Sequence, residues 1–306
     1  MVSVDDIRKV FRGHVAVGEP LAKYTSFRIG GPADFYLEPV DKYDLIDIVR
    51  FFKKLDYRFM IIGKGSNLLI SDAGFRGAAI NLEEGMGIVR TEAERIVADA
   101  GVRLSKFVDF CIQHEKAGVE MLAGIPGTIG GAVIMNAGAY GGEISDHLVE
   151  VEIYRDDNLQ KVTKAEAGFS YRRSGFGRDV ILNASFVLPQ GDLTELLRRR
   201  RELLLKRNQS QPLNLPNSGS MFKNPQGTFA AKLVEEARLK GKRIGGAQIS
   251  ERHGNFIVNH GGATAHNVLD LVTLARKKVF ERTGVKLELE VKLIGFQEEE
   301  LIGAVA

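Results

Sequence analysis

The sequence holds a single cysteine, Cys111, no tryptophan, and no run near the ~20 apolar residues needed to cross a bilayer. One thiol supports neither a disulfide framework nor a cysteine-ligated metal site. Charge of one sign is missing too. Lysine and arginine number 42 against 39 aspartates and glutamates, too even for net charge to draw the chain to nucleic acid or an anionic membrane. The opening residues MVSVDDIRKV lack the apolar core of a secretory signal. A soluble cytoplasmic protein is the expectation, with a monomer as its expected state. Its 306 residues suffice for two or three domains.

Glycine is plentiful and concentrated. Residues 124–142 read GIPGTIGGAVIMNAGAYGG, seven glycines with no lysine or arginine. Glycine reaches positive φ without a Cβ clash and lets backbone amides approach a ligand closely. Such amides form anion sites without cationic side chains. A glycine-rich surface turn is the bland alternative, and Ile125, Ile129, Val133, Ile134 and Met135 suit it poorly. A second loop, Gly63, Lys64, Gly65, Ser66, Asn67 and Leu68, follows an apolar run at 59–62. It lacks the Gly-Lys-Ser/Thr ending of a Walker A loop and the third glycine of a dinucleotide fingerprint. Together the two loops suggest a pair closing on one diphosphate.

Helix and strand signals alternate along the chain. Residues 41–55 place Leu45, Ile48, Val49, Phe52 and Leu55 on one helical face behind a cap at Asp41. Helices are also predicted at 104–113, 192–206, 228–239 and 266–282. Strands are predicted at 59–62, 78–82, 96–100, 148–154, 180–188, 255–259 and 285–294. In the last, Val285, Leu287, Leu289, Val291 and Leu293 share one face and Lys286, Glu288, Glu290 and Lys292 the other. The charged helix at 192–206 carries four successive arginines, 198–201, which point around most of its circumference. It reads as a solvated connector and domain boundary rather than a nucleic-acid patch.

Two further clusters carry potential chemistry. Residues 217–225 pack hydroxyls, an ammonium and amides around Gly219, and read either as a reactive segment or as a polar turn capping the helix that follows. Residues 169–174 set Arg172 and Arg173 beside Phe169 and Tyr171, as a surface strand would also do. Glu290 on a half-buried strand is equally ambiguous.

Six segments in order carry a resemblance: 24–32 (YTSFRIGGP), 63–69, 125–131 (IPGTIGG), 136–141 (NAGAYG), 219–225 (GSMFKNP) and 287–295. The chain resembles the UDP-N-acetylenolpyruvoylglucosamine reductases, from about Tyr24 to Gly295. The resemblance implies an α+β fold: an FAD-binding unit of the vanillyl-alcohol-oxidase/PCMH type in two subdomains, with a smaller α+β substrate-binding domain. Residues 1–85, joined by the tail 295–306, and 86–195 are the expected FAD subdomains, and 196–294 the substrate domain. FAD would be held without a covalent link, consistent with no histidine or cysteine between 61 and 77. Its implied contacts are the six residues Gly63 to Leu68 together with Gly127, Thr128, Gly130, Gly131, Ala132, Asn136, Gly138 and Ala139. The compact route from Asn183 to Asp192 leaves little room for a tyrosine-bearing insertion, so the sequence resembles the shorter, type II form.

The implied reaction reduces an enolpyruvyl ether to a lactyl ether, with electrons passing from NADPH through FAD to UDP-N-acetylglucosamine enolpyruvate. Ser220 matches the family's proton donor. Arg172 and Glu290 match the residues that assist at the carboxylate: an arginine can clamp it bidentately, and a protonated Glu290 could donate to it. Substrate contacts are expected from Asn224, Lys206, Arg207, Lys223, His253 and Tyr171, with a structural role for His253 equally open. The competing readings are a different FAD oxidase or dehydrogenase on the same flavin unit, and a non-catalytic nucleotide-binding protein.

Overall fold

In the computed structural model, which describes residues 2–305, Asp41 starts the first long helix. Its carboxylate accepts from the amides of Tyr43 (2.9 Å) and Asp44 (2.8 Å), satisfying donors that a helix start leaves open. The helix runs Lys42–Lys54 and buries Leu45, Ile48, Val49 and Phe52. Leu55 departs from its predicted place on that face. It is the C-cap and 49 % exposed, because the chain turns away at Asp56 with φ 49°. Asp41→Ala is expected to lower unfolding free energy by about 1 kcal/mol, read as a shift of the denaturant midpoint at unchanged slope.

The chain forms two units. The first contains residues up to Val17, Phe35–Lys64 and Gly77–Arg207, and the second contains Gly18–Asp34, Gly65–Arg76 and the chain from Asn208 onward. In the first, strands Asn158–Thr163, Leu148–Arg155, Val180–Phe186, Arg95–Asp99 and Val89–Glu92 form one sheet in that order, each neighbour antiparallel. A four-stranded sheet runs His14–Pro20, Pro32–Glu38, Phe75–Asn81, Phe59–Ile62, with the last two parallel. Helix Leu104–Gln113 lies where the periodicity puts it and buries Leu104, Phe107, Val108, Cys111 and Ile112. These pack with Ile80, Ala98, Val133, Ile153 and Ala184 into one core.

The second unit has its own core, with Phe27, Leu69, Met221, Ile257, Val268, Leu271 and Leu287 among its members. Its sheet orders Asn217–Ser220, Phe256–Asn259, Ala247–Ile249 and Arg243–Ile244, all antiparallel. Helix Ala265–Thr283 begins at the Thr264 capping box and stops at Gly284, whose φ of 70° is open to glycine. The predicted final strand is shorter than its alternation suggested. Leu287 and Val291 are buried and Lys286 and Glu288 exposed, yet only Lys292–Ile294 forms a strand. Its parallel partner, Leu68–Ile70, offers only three residues to pair with. The charged helix is longer than predicted, Leu193–Ser210, and that predicted at 228–239 is shorter, Ala230–Glu236.

At the start of Ala265–Thr283, Asp72 accepts from the amide of Ala265 (2.8 Å), and His266 bridges Asp72 (3.1 Å) and Glu300 (2.8 Å). The hydrogen bond to Asp72 raises the His266 pKa above its ordinary value. The folded state therefore binds this proton more tightly than the unfolded chain does. The contribution is complete below about pH 6.5 and disappears as pH rises through the raised value. His266 is half exposed, so solvent screening keeps the effect small. Melting temperatures of wild type and His266→Gln should differ at pH 5.5 and converge at pH 9.

Candidate active site

In the first unit Gly63 lies against the second glycine tract. A Cβ on Gly63 would lie 2.8 Å from Thr128 Cγ2 and nearer still to Oγ1. Thr128 is buried and is the N-cap of helix Ile129–Met135. Lys64, the next residue after Gly63, is exposed. Within the tract the glycines differ in role. The amides of Ile129 and Gly130 donate to the carbonyls of Val102 (2.8 Å) and Ala100 (2.9 Å), and a Cβ on Gly130 would press on Ala100. Gly127 bends at φ 147° and its carbonyl accepts from Leu104. Ala132 is buried, whereas a Cβ on Gly131 would meet nothing nearer than Thr128 Oγ1 at 3.8 Å.

The helix ends at Asn136, which is buried and left-handed with φ 43°. Its Nδ2 donates to Glu143 Oε2 (2.6 Å) and the Ser170 carbonyl (3.1 Å), while its buried Oδ1 makes no hydrogen bond among the described residues. Gly138 and Ala139 then pair with Glu143 and Gly142. Ser170 and Arg173 exchange backbone hydrogen bonds, closing a tight turn over Tyr171 and Arg172. Arg172 occupies its left-handed position at φ 55°, where glycine or asparagine would be less strained. Its Nη2 donates to the Gly138 carbonyl (2.8 Å), Nη1 lies 3.9 Å from Glu143 Oε1, and the guanidinium sits 4.8 Å from the ring of half-exposed Tyr171.

Lys206 and Arg207 diverge on their helix. Lys206 is exposed, whereas Arg207 is buried beside Gly124, where a Cβ would approach Arg207 Cδ to 3.0 Å. Burial lowers the pKa of Arg207 from the ordinary arginine value.

The second unit brings Ser220 and Glu290 onto paired segments. Register shifts between Asn217 and Ser220, where Gly219 takes φ 76° and donates to Asn217 Oδ1 (2.9 Å). Such a bulge re-aims the following side chain. The half-buried Ser220 hydroxyl makes no hydrogen bond among the described residues. The next residue, Met221, accepts from the amide of Glu290 (2.9 Å), and Lys223 donates its amide to the Glu288 carbonyl (2.8 Å). Asn67 Nδ2 donates to the Glu290 carbonyl (3.0 Å), and its own carbonyl accepts from Lys292. That amide is therefore engaged with the Glu290 backbone. The loop at 63–68 is shared: Gly63 and Lys64 belong to the first unit, Gly65 through Leu68 to the second. Gly65 is left-handed (φ 55°) and lies against Tyr24 and Thr25; Ser66 and Leu68 are half-buried.

Three predicted substrate contacts also have local partners. Lys223 Nζ lies 3.4 Å from Glu288, and Asn224 Oδ1 accepts from the amide of Ala230 (3.1 Å), the capping contact weighed from the sequence. His253 packs edge-on against Phe256, and its Nδ1 accepts from the Asn255 amide (3.3 Å). Burial lowers its pKa, favouring the neutral ring that this acceptor role needs.

Residues 211–294 match the C-terminal domain model of UDP-N-acetylenolpyruvoylglucosamine reductase, and residues 33–159 match an FAD binding domain. A protein of that reductase name from Chloroherpeton thalassium is 46% identical over 97% of this chain and 99% of its own length. This chain belongs to the UDP-N-acetylenolpyruvoylglucosamine reductase family. A reductase from Caldanaerobacter subterraneus subsp. tengcongensis is 39% identical, covering 96% of this chain and 98% of its own. The crystal structure of the Thermus caldophilus reductase is similar with a TM-score of 0.79 at 34% identity, covering 93% of this chain and 99% of that one.

The residues present fit the FAD implied by the reductase family. The orphaned Asn136 Oδ1 offers a buried acceptor to a ligand donor, and Gly63 lies against Thr128 at the start of the second glycine tract's helix. Two residues escaped the sequence reading. Glu143 touches Asn136 and lies beside Arg172, and only the pairing of Gly138 with Glu143 reveals it. Buried Asn255 clamps Phe222, accepting from its amide (2.9 Å) and donating to its carbonyl (2.7 Å). A polar residue beside Gly254 was its sole signal.

Proposed function

We propose that this chain is an FAD-containing oxidoreductase that reduces UDP-N-acetylglucosamine enolpyruvate to UDP-N-acetylmuramate for peptidoglycan synthesis, using NADPH. The near-full-length likeness to the Chloroherpeton reductase carries this reading. FAD, when bound, relays two electrons from NADPH to the enolpyruvyl double bond. Arg172 binds the substrate carboxylate through its planar fork and stabilises the charge that grows there. Glu290 donates a hydrogen bond to that carboxylate in its acid form. Ser220 supplies the proton to the carbon beside it. Serine is a weak acid in water, so this step requires stabilisation of its alkoxide or rapid reprotonation, for which Lys223 is the nearest cation in sequence.

The remaining assignments belong to the same proposal. The tract from Gly127 to Ala139 and the loop from Gly63 to Leu68 hold FAD without a covalent bond. Asn224, Lys206, Arg207, Lys223, His253 and Tyr171 contact the sugar nucleotide. The FAD part is assigned to 1–85 with 295–306, and 86–195, and the substrate domain to 196–294; the compact units divide the chain differently, grouping 18–34 and 65–76 with the chain from Asn208 onward. Residues 187–191 are tied to the turn at 115–117 and to His147 by backbone hydrogen bonds, which supports the type II form. The reading is of a cytoplasmic monomer; among the described residues no helix is long and apolar enough to cross a membrane.

An anaerobic titration tests the activity. A yellow preparation should bleach with NADPH and regain its absorbance on addition of the enolpyruvyl sugar nucleotide. Bleaching without recovery would indicate another flavin enzyme, and a colourless protein unable to take up FAD would leave only nucleotide binding.

A further inference from the structure

Glu143 has no place in the chemistry described so far, yet it joins two of that chemistry's side chains. Its Oε2 accepts from Asn136 Nδ2 at 2.6 Å, and its Oε1 lies 3.9 Å from Arg172 Nη1. Gly138 stands directly opposite in the short pair, and a Cβ there would fall 2.9 Å from Glu143 Cγ. The carbonyl of that same glycine accepts from Arg172 Nη2. The guanidinium is thus held by a carbonyl on one strand and flanked by a carboxylate on its partner. Its side chain is 19% exposed and that of Glu143 33%, so water screens the pair only partly. The backbone of Glu143 is itself anchored, its amide donating to Asp146 Oδ2 at 2.8 Å.

We propose that Glu143 is a positioning residue for substrate-carboxylate recognition, orienting the Arg172 fork and stiffening the Asn136–Gly138 edge behind it. A guanidinium bonded to the Gly138 carbonyl and flanked by the Glu143 carboxylate is held in one orientation. Bidentate recognition gains from that geometry, because a freely rotating arginine must lose its freedom at each binding event. This inference rests on the reading of Arg172 as the carboxylate clamp.

Two ligands separate the inference from a merely structural role: the lactyl-bearing sugar nucleotide product, and UDP-N-acetylglucosamine, which has the same nucleotide and sugar without the carboxylate. Calorimetry on the FAD-loaded protein gives both affinities without turnover. Glu143→Gln removes the charge while keeping an amide beside Asn136. It is expected to weaken the carboxylate ligand about tenfold and leave UDP-N-acetylglucosamine unchanged. The melting temperature should stay close to wild type. Glu143→Asp keeps the charge one methylene short and should restore part of the loss. If Glu143→Gln proves too unstable to load with FAD, the aspartate variant carries the same comparison.

Arg172→Ala is measured alongside. Loss of carboxylate preference in Arg172→Ala but not in either Glu143 variant would overturn the positioning role and leave the clamp standing. Unchanged preference in all three would overturn the clamp itself. Equal weakening of both ligands by the Glu143 variants would reduce Glu143 to a structural residue and sink the proposal.

Discussion

Ser220→Ala is expected to slow reoxidation of the NADPH-reduced enzyme by UDP-N-acetylglucosamine enolpyruvate about 10²–10⁴-fold, the range for losing a positioned proton donor. Reduction by NADPH should be unaffected, because that step needs no proton from Ser220. Stopped-flow absorbance in the flavin band, followed separately for each half, is the measurement. The structure makes the substitution informative. Ser220 follows a bulge whose glycine has φ 76°, its hydroxyl makes no hydrogen bond among the described residues, and the pairing on either side uses backbone atoms that alanine retains. Folding should therefore survive. Equal loss in both halves would end the proton-donor assignment, since a donor to substrate carbon has no part in the NADPH step.

Gly63→Ala should damage both stability and FAD retention. The added methyl would meet a buried, β-branched Thr128 whose χ1 is stiff, so the clash cannot be relieved by a flexible chain end. Overpacking of this kind costs about 1–3 kcal/mol. Because Thr128 is the N-cap residue of the helix Ile129–Met135, any yielding moves the start of that helix. We expect FAD to bind more than tenfold more weakly, as for about 1.4 kcal/mol or more of lost binding energy, measured by equilibrium dialysis or by quenching of flavin fluorescence. The control is a double-mutant cycle with Thr128→Ala, which removes Oγ1 and Cγ2, the atoms in the clash. Gly63→Ala should cost markedly less in that background. Additive effects would locate the damage away from the contact.

Local chemistry explains much of what could be read from the chain. A helix face repeats every three to four residues, so Leu104–Gln113 lies where its own side chains require, and the short apolar run Phe59–Ile62 forms its strand up to the turn at Gly63. Caps act within one turn, which is why Asp41 and Gly284 marked ends correctly. The strand predicted at 285–294 fell short for the complementary reason. Alternation reports burial on one face, and Leu287 and Val291 are buried as the pattern demands, but ladder length depends on a partner more than two hundred residues earlier.

The catalytic candidates divide in the same way. Sequence order alone pointed to Arg172, Ser220 and Glu290 through a family pattern, and composition identified the two glycine loops. Physical roles inside those loops followed from packing. Gly63 is bare because Thr128 occupies the space of its Cβ, Gly130 because Ala100 does, and Gly138 because the Gly142 carbonyl and Glu143 cross it. Asn67 is engaged with the backbone of Glu290, 223 residues away in sequence, and Arg172 with Gly138, 34 residues away. Periodicity and turn chemistry depend on neighbours along the chain, so the residues could announce their elements. Partners so distant along the chain are chosen by register and by closure of the fold. The carboxylate beside Arg172 therefore emerged only when the two short strands were paired.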